Sequence, residues 1–207
     1  MFELFISAFT TLFVVIDPPG CAPIYAGLTA QASQRQAAAM ALRACAIAAA
    51  ILVGFALFGE QLLGFLHIEL NSFRIAGGIM LFLIALEMVF EKRTERREER
   101  AEKILSHPPV EDVSVFPMAM PMLAGPGSIA SIMLLTARAH GTSETLVILA
   151  ALAAVMLLSL LALIAARPII RLLGDRVEAV LSRLLGLLLA ALAAQFVMDG
   201  VRLGFGL

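Results

Sequence analysis

The stretch Ile16-Asp17-Pro18-Pro19-Gly20 interrupts the first apolar segment of a very hydrophobic chain. Residues 2–16 before it and residues 22–28 after it are mostly apolar. This position predicts that the motif lies at bilayer depth, where irregular backbone is tolerated only if protein or a polar cavity surrounds it. An ionisable carboxylate at that depth is a candidate functional group.

A second interruption, Ala124-Gly125-Pro126-Gly127-Ser128, lies in the fourth apolar segment, about 108 positions further along (18 to 126). Glycine and proline interrupt a membrane helix here as they do in the first segment. Interrupted helices at corresponding positions in two halves of a membrane protein are typical of a transporter's substrate site.

Composition places the chain among integral membrane proteins. Apolar residues make up 61% of it, charged residues 15%, and there is no Trp, whereas soluble domains average about 45–50% and about 25%. The net charge of −1 argues against a nucleic-acid partner.

Cys21 and Cys45 lack the spacing of a metal or redox site, so no metal or other cofactor is expected. The sequence has no HExxH, GxSxG or Walker motif, so we expect no catalytic residues and no enzyme activity.

Six segments are long and apolar enough to cross a hydrocarbon core about 30 Å thick. They are residues 2–28 (interrupted), 37–58, 72–90, 114–137 (interrupted), 145–166 and 181–202. The prediction is an all-α membrane protein with one transmembrane domain over residues 1–207. Within it, a first repeat covers about 1–90, a charged linker about 91–112 and a second repeat about 113–207.

The two predicted repeats share three short matches in the same order. Asp17-Pro18-Pro19-Gly20 aligns with Gly125-Pro126-Gly127-Ser128, Leu62-Leu63-Gly64 with Leu172-Leu173-Gly174, and Arg74-Ile75-Ala76-Gly77-Gly78 with Arg183-Leu184-Leu185-Gly186-Leu187. A repeat of three spans must enter the membrane from opposite sides in its two copies. The sequence therefore predicts a 3+3 inverted repeat with helices 1 and 4 broken near the membrane midplane.

The distribution of positive charge predicts the orientation. With six spans, twelve of the 15 Lys and Arg residues lie on the side of the 91–112 linker, and Arg74, Arg138 and Arg202 lie on the other. Positive charge accumulates on the cytoplasmic side, so we expect a cytoplasmic linker and both termini outside. Residues 91–107 of this linker have the charge spacing of a solvated helix. That helix is either a simple connector or a partner-binding element.

The prolines of the first interruption predict what it can bind. Because Pro18 and Pro19 lack an N–H group, the helix should stop near Ile16 and restart around residues 20–23. The restarted helix would present unpaired N–H groups and the positive end of its dipole to a carboxylate. Asp17 would suit an ammonium group or a proton; its alternative role is a helix cap that accepts from the N–H of residue 20 or 21.

The second interruption predicts a similar helix start after Pro126, opened by Gly127 and Ser128. Together the two interruptions would suit a zwitterion. The predicted substrate-binding residues are Asp17, Pro18, Gly20, Gly125, Pro126, Gly127, Ser128 and Gln195. Asp17 and Glu87 are the candidates for proton coupling, although Glu87 is close enough to a span end to reach the interface. Ser128, Ser131 and Thr136 can bond to carbonyls of their own helix, so Ser128, beside the interruption, is the contact candidate among the three.

The DPPG-x-x-P motif from Asp17 to Pro23 and the AGPGSI motif of residues 124–129 resemble the MarC family of bacterial inner-membrane proteins, over essentially the whole chain. The family is grouped with the LysE-type exporters, and the resemblance implies transport of small neutral amino acids such as glycine and alanine. The first hypothesis is a secondary transporter of these substrates in the inner membrane, with periplasmic termini. A homo-oligomer is compatible with this hypothesis. The alternatives are an exporter of another metabolite or drug-like compound, and a non-transporting scaffold that uses the linker to recruit a partner.

Overall fold

A computed structural model describes residues 1–90 and 112–206, with all their side chains except those of 169–179 and 181. These residues form helices and connecting turns, without a strand. The helices are α1 (Phe2–Ile16), α2 (Pro18–Leu28), α3 (Gln34–Phe65), α4 (Leu70–Val89), α5 (Pro126–Thr136), α6 (Thr142–Ile164) and α7 (Ala166–Gly204). Before α5, residues Ser114–Leu123 form a helical segment with wide, π-type turns, which we call the proline segment.

Over the described residues the predicted all-helical class with several candidate membrane spans is confirmed. Five helices are long and apolar enough to cross a membrane, and there are six spans if the proline segment and α5 count as one bent span. The first of the five joins α1 and α2 into 27 residues, Phe2–Leu28. The predicted solvated helix in the linker, residues 91–107, lies outside the described residues.

Two elements differ from the predicted pattern, and both contain proline. In the proline segment Phe116 and Met120 have extended backbone, because each precedes a proline and this position disfavours helical angles. Conversely, residues 167–180, predicted as a connection, are helical and belong to α7. Pro168 does not prevent this, because the first turn of a helix accepts proline.

The α4–α7 pair is the most extensive helix contact in the described part of the chain, and glycines allow its close approach. A Cβ on Gly78 would lie 2.9 Å from the carbonyl oxygen of Ala193 and 3.0 Å from the backbone nitrogen of Val197. A Cβ on Gly200 would lie 3.0 Å from the carbonyl oxygen of Asn71. Backbone therefore packs on backbone, as small residues permit between membrane helices.

Two apolar clusters make up the core, and the first interruption lies where they meet. The larger cluster draws on α1, α2, α3, α6, α5 and the proline segment, and includes Ile16. The smaller one joins α4 and α7 to α1 and α5, and includes Val14 and Val15. The end of α1 thus contributes to both clusters, and Asp17 follows directly.

Candidate functional site

Asp17 is buried at the junction of α1 and α2, with 4% of its surface exposed. Its backbone is left-handed, with φ 57° and ψ 65°, a conformation that aspartate and asparagine adopt more readily than other non-glycine residues. One carboxylate oxygen accepts a hydrogen bond from the Gly20 N–H at 3.2 Å. The predicted capping role is thereby confirmed.

The start of α2 is not the anion site that the sequence suggested. The helix restarts at Pro18 rather than around residues 20–23, and Pro18 and Pro19 have no N–H to offer. The Gly20 N–H donates to the Asp17 side chain and the Cys21 N–H to the Asp17 carbonyl. The expectation of unpaired N–H groups here is wrong, because the two prolines remove them and Asp17 accepts the next two. This interruption presents a carboxylate.

The second interruption has the complementary character. The proline segment and α5 meet at an angle of 53°, and α5 starts with Gly125 as its cap and Pro126 as its first residue. Gly125 has no side chain to accept from the next N–H groups. The N–H groups of Gly127 and Ser128 therefore lie in the first turn without an intrahelical acceptor, at the positive end of the α5 dipole. Gly127 and Ser128 are buried, and Pro126 is exposed.

Close packing brings the two interruptions together. A Cβ on Gly127 would lie 3.4 Å from Cγ1 of Val15 and 2.5 Å from Cδ1 of Ile84. Val15 is two residues before Asp17, so the start of α5 packs on the end of α1. The absence of a side chain at Gly127 is what permits this contact.

Glycine is required at position 125 for a different structural reason. A Cβ there would lie 2.4 Å from the carbonyl oxygen of Pro121. Backbone atoms cannot move aside as a side chain can, so the turn between the proline segment and α5 requires glycine at this position.

Ser131 is a buried polar residue whose hydrogen bonding differs from the prediction. It lies on α5 one turn after Gly127, on the same helix face, and is fully buried. Its hydroxyl has no hydrogen-bond partner among the described residues, whereas Thr136 donates to the Ile132 carbonyl as expected. The prediction that Ser131 bonds to its own helix is therefore wrong. A buried polar group without a protein partner calls for an explanation, such as an ordered water or a bound ligand.

The two remaining predicted residues lie at different distances from this junction. Glu87 is half-buried on α4, one turn beyond Ile84, whose side chain faces Gly127. Gln195 is exposed on α7 and donates to Asp199 at 2.8 Å. Asp199 also pairs with Arg138. Gln195 thus belongs to a polar cluster at one end of α7, whereas Glu87 lies closer to the meeting point of α1, α4 and α5.

Three cavities in the described part of the chain lie elsewhere. One of 430 Å³ includes Tyr25 and Arg167, one of 300 Å³ lies between α4 and α7, and one of 390 Å³ lies between α1 and α7. None of the three is lined by a predicted site residue.

Gly20→Ala is expected to lower the melting temperature by about 4 °C, because a Cβ would lie 2.3 Å from Oδ2 of Asp17 and would displace the capping carboxylate. Loss of such a cap costs about 1 kcal/mol, and 1 kcal/mol corresponds to about 2–4 °C for a chain of this size. Thermal unfolding in detergent measures the change. Gly27→Ala, in the same helix with nothing within 4 Å of the new atom, is the control. Equal melting temperatures for the two variants would refute the requirement for glycine at position 20.

Comparison with known proteins identifies the family. The model of the MarC family of integral membrane proteins matches residues 2–205. The UPF0056 membrane protein MJ1677 of Methanocaldococcus jannaschii is 34% identical, over 97% of each chain. A UPF0056 membrane protein of Archaeoglobus fulgidus is 36% identical, over 96% of this chain and 92% of its own. The UPF0056 inner membrane protein YhgN of Escherichia coli K12 is 32% identical, over 96% of each. No solved structure matches. The chain belongs to the MarC family of integral membrane proteins.

Proposed function

We propose that this protein is a secondary transporter of small neutral amino acids, with glycine and alanine as substrates. The observation that carries the proposal is that a negative carboxylate and positively polarised N–H groups lie at two helix interruptions that adjoin each other. A buried carboxylate, Asp17, lies two residues after Val15, and the N–H groups that open α5 lie beside Val15. An α-amino acid presents the matching pair of groups, an ammonium and a carboxylate, one carbon apart.

Each group of the substrate has an assigned partner in this proposal. The ammonium group binds the Asp17 carboxylate, a charge-assisted hydrogen bond that is stronger than a neutral one. The carboxylate binds the N–H groups of Gly127 and Ser128, favoured by the α5 dipole. Close packing of Ile84 and Val15 around Gly127 leaves little room, which favours a short side chain on the substrate.

We also propose that the two halves form an inverted repeat, which would place both interruptions at the same depth near the midplane. α2 and α5 each have 11 residues and begin with proline. The helix contacts occur in exchanged pairs. The first span, α1 with α2, contacts α6 as α3 contacts the proline segment and α5. The same first span contacts α7 as α4 contacts α5. Exchanging the halves preserves these pairs, as a two-fold axis in the membrane plane requires.

The uptake of labelled glycine and alanine by proteoliposomes, with and without a pH gradient, tests the proposal. We expect accumulation that rises with the gradient, because we assign the coupling proton to Asp17, with Glu87 as the second candidate. Empty liposomes are the control for leakage. Folded, reconstituted protein that moves neither amino acid under any gradient would refute the proposal for these substrates.

Ser131→Ala is expected to raise the KM for alanine about fivefold to tenfold, if the unpartnered hydroxyl serves the substrate, since a hydrogen bond contributes about 1 kcal/mol. The melting temperature should not fall, because this hydroxyl has no partner to lose. Ser159→Ala is the matched control: Ser159 is also buried, but its hydroxyl donates to the Val155 carbonyl at 2.9 Å. An unchanged KM in Ser131→Ala would exclude this residue from the substrate site.

A further inference from the structure

The cavity of 430 Å³ lies at the end of the helix bundle opposite the chain's N-terminus, away from the two interruptions. The last turn of α2, the first turn of α3 and the junction between α6 and α7 surround it. Tyr25 of α2 is about 12 Å from Asp17 along the helix, at 1.5 Å per residue. The cavity is therefore separate from the proposed substrate site.

Arg167 is the charged residue among those that line this cavity. Its Nη2 donates to the carbonyl oxygens of Thr29, at 2.7 Å, and Ala32, at 2.8 Å. These two bonds fix the guanidinium across the end of α2, where helix carbonyls lack partners. An arginine has five N–H donors, and among the described residues no partner is recorded for those on Nε and Nη1 of Arg167.

The rest of the lining is mostly apolar, and the cavity is open on one side. Ala37, Ala38 and Leu163 form the wall, and Ile164 at the edge is 47% exposed. The Tyr25 hydroxyl donates to the Ala37 carbonyl. The nearby carboxylate of Asp112 pairs with Arg43 at 2.7 Å. The cavity thus combines one positive charge with an apolar edge.

We propose that this cavity binds the phosphate of an anionic phospholipid through Arg167, with the start of an acyl chain along Ile164. Arginine suits phosphate because its planar donors can bind two oxygens at once. Basic pockets between membrane helices at headgroup level are typical lipid sites. The apolar edge favours a lipid over a free phosphate ester, because a soluble anion has nothing to place there. This inference does not depend on the identity of the transported substrate.

The melting temperature of the full-length protein in detergent, with added lipid, tests the inference. We expect phosphatidylglycerol to raise it by about 3 °C or more above the value with phosphatidylcholine. Arg167→Gln keeps an amide that can donate to the α2 carbonyls but removes the charge, so the difference between the two lipids should disappear. Arg167→Lys should retain part of it. Arg43→Gln, at the same end of the bundle but outside the cavity, should retain all of it.

Four results would overturn the inference. The first is an equal effect of the two lipids on the wild-type protein, which requires no variant to fold. The second is an equal loss of the lipid difference in Arg43→Gln and Arg167→Gln, which would indicate a general attraction to negative charge. The third is an equal rise with soluble glycerol phosphate, which would assign the cavity to a free phosphate ester. A rise with alanine that Arg167→Gln abolishes would likewise make the cavity a substrate site instead.

Discussion

Asp17→Asn is expected to reduce the uptake of glycine and alanine by about 10- to 100-fold, while the protein still inserts and folds. In the proposed complex the substrate ammonium donates to a buried carboxylate, and hydrogen bonds to charged groups contribute about 1.5–3 kcal/mol. Asparagine removes the charge and also the site to which we assign the coupling proton. Any residual uptake should therefore no longer respond to the pH gradient.

Asparagine is the appropriate substitution because it preserves what Asp17 does for the fold. It adopts the left-handed conformation observed here, φ 57°, and its side-chain oxygen can accept from the Gly20 N–H as aspartate does. Asp17→Ala loses both properties. It should lower stability by about 2 kcal/mol, the sum of about 1 kcal/mol for the cap and about 1 kcal/mol for the left-handed backbone.

Uptake and melting temperature, measured on the same preparations of both variants, separate charge from capping. The proposal requires Asp17→Asn to have normal stability and little uptake. Wild-type uptake by a stable Asp17→Asn variant would show that Asp17 is a structural cap alone. The binding role would then rest with the N–H groups of Gly127 and Ser128.

Gly78→Ala is expected to destabilise the protein by about 2 kcal/mol, within the range for overpacked sites. The new methyl group would lie 2.9–3.0 Å from backbone atoms of Ala193 and Val197, so α4 and α7 must separate. Because these two helices form the most extensive contact in the described residues, the separation affects a long interface. Thermal unfolding in detergent should show a fall of about 4–8 °C.

Gly54→Ala is the control for Gly78→Ala, since both glycines lie within long membrane helices. Nothing lies within 4 Å of a Cβ at Gly54, and alanine is a better helix former than glycine by up to about 1 kcal/mol. The two substitutions should therefore shift the melting temperature in opposite directions. A neutral Gly78→Ala would show that α4 and α7 do not pack as closely as described.

Much of the fold could be predicted from the sequence, because hydrocarbon imposes a simple rule on the backbone. Each span must satisfy its own hydrogen bonds, so apolar length alone located most helix ends between Phe2 and Gly204 to within a few residues; the exceptions are the end of α3 and the start of α7. The prolines located both interruptions, since a residue without an N–H group and with a fixed φ acts on its immediate neighbours. The same local chemistry predicted that Asp17 caps α2, which the structure confirms.

The difference in character between the two interruptions was not predicted and is seen only in the structure. In sequence they looked alike, but α2 begins at Pro18 and its next N–H groups bond to Asp17, whereas α5 retains the N–H groups of Gly127 and Ser128. The contact of Gly127 with Val15 joins positions more than a hundred residues apart, and the missing partner of the Ser131 hydroxyl depends on which side chains surround it. Hydropathy and proline determine where helices lie and where they are interrupted. These effects are local, so they can be predicted from the sequence. What the remaining donors and hydroxyls face is decided by packing between helices distant in sequence.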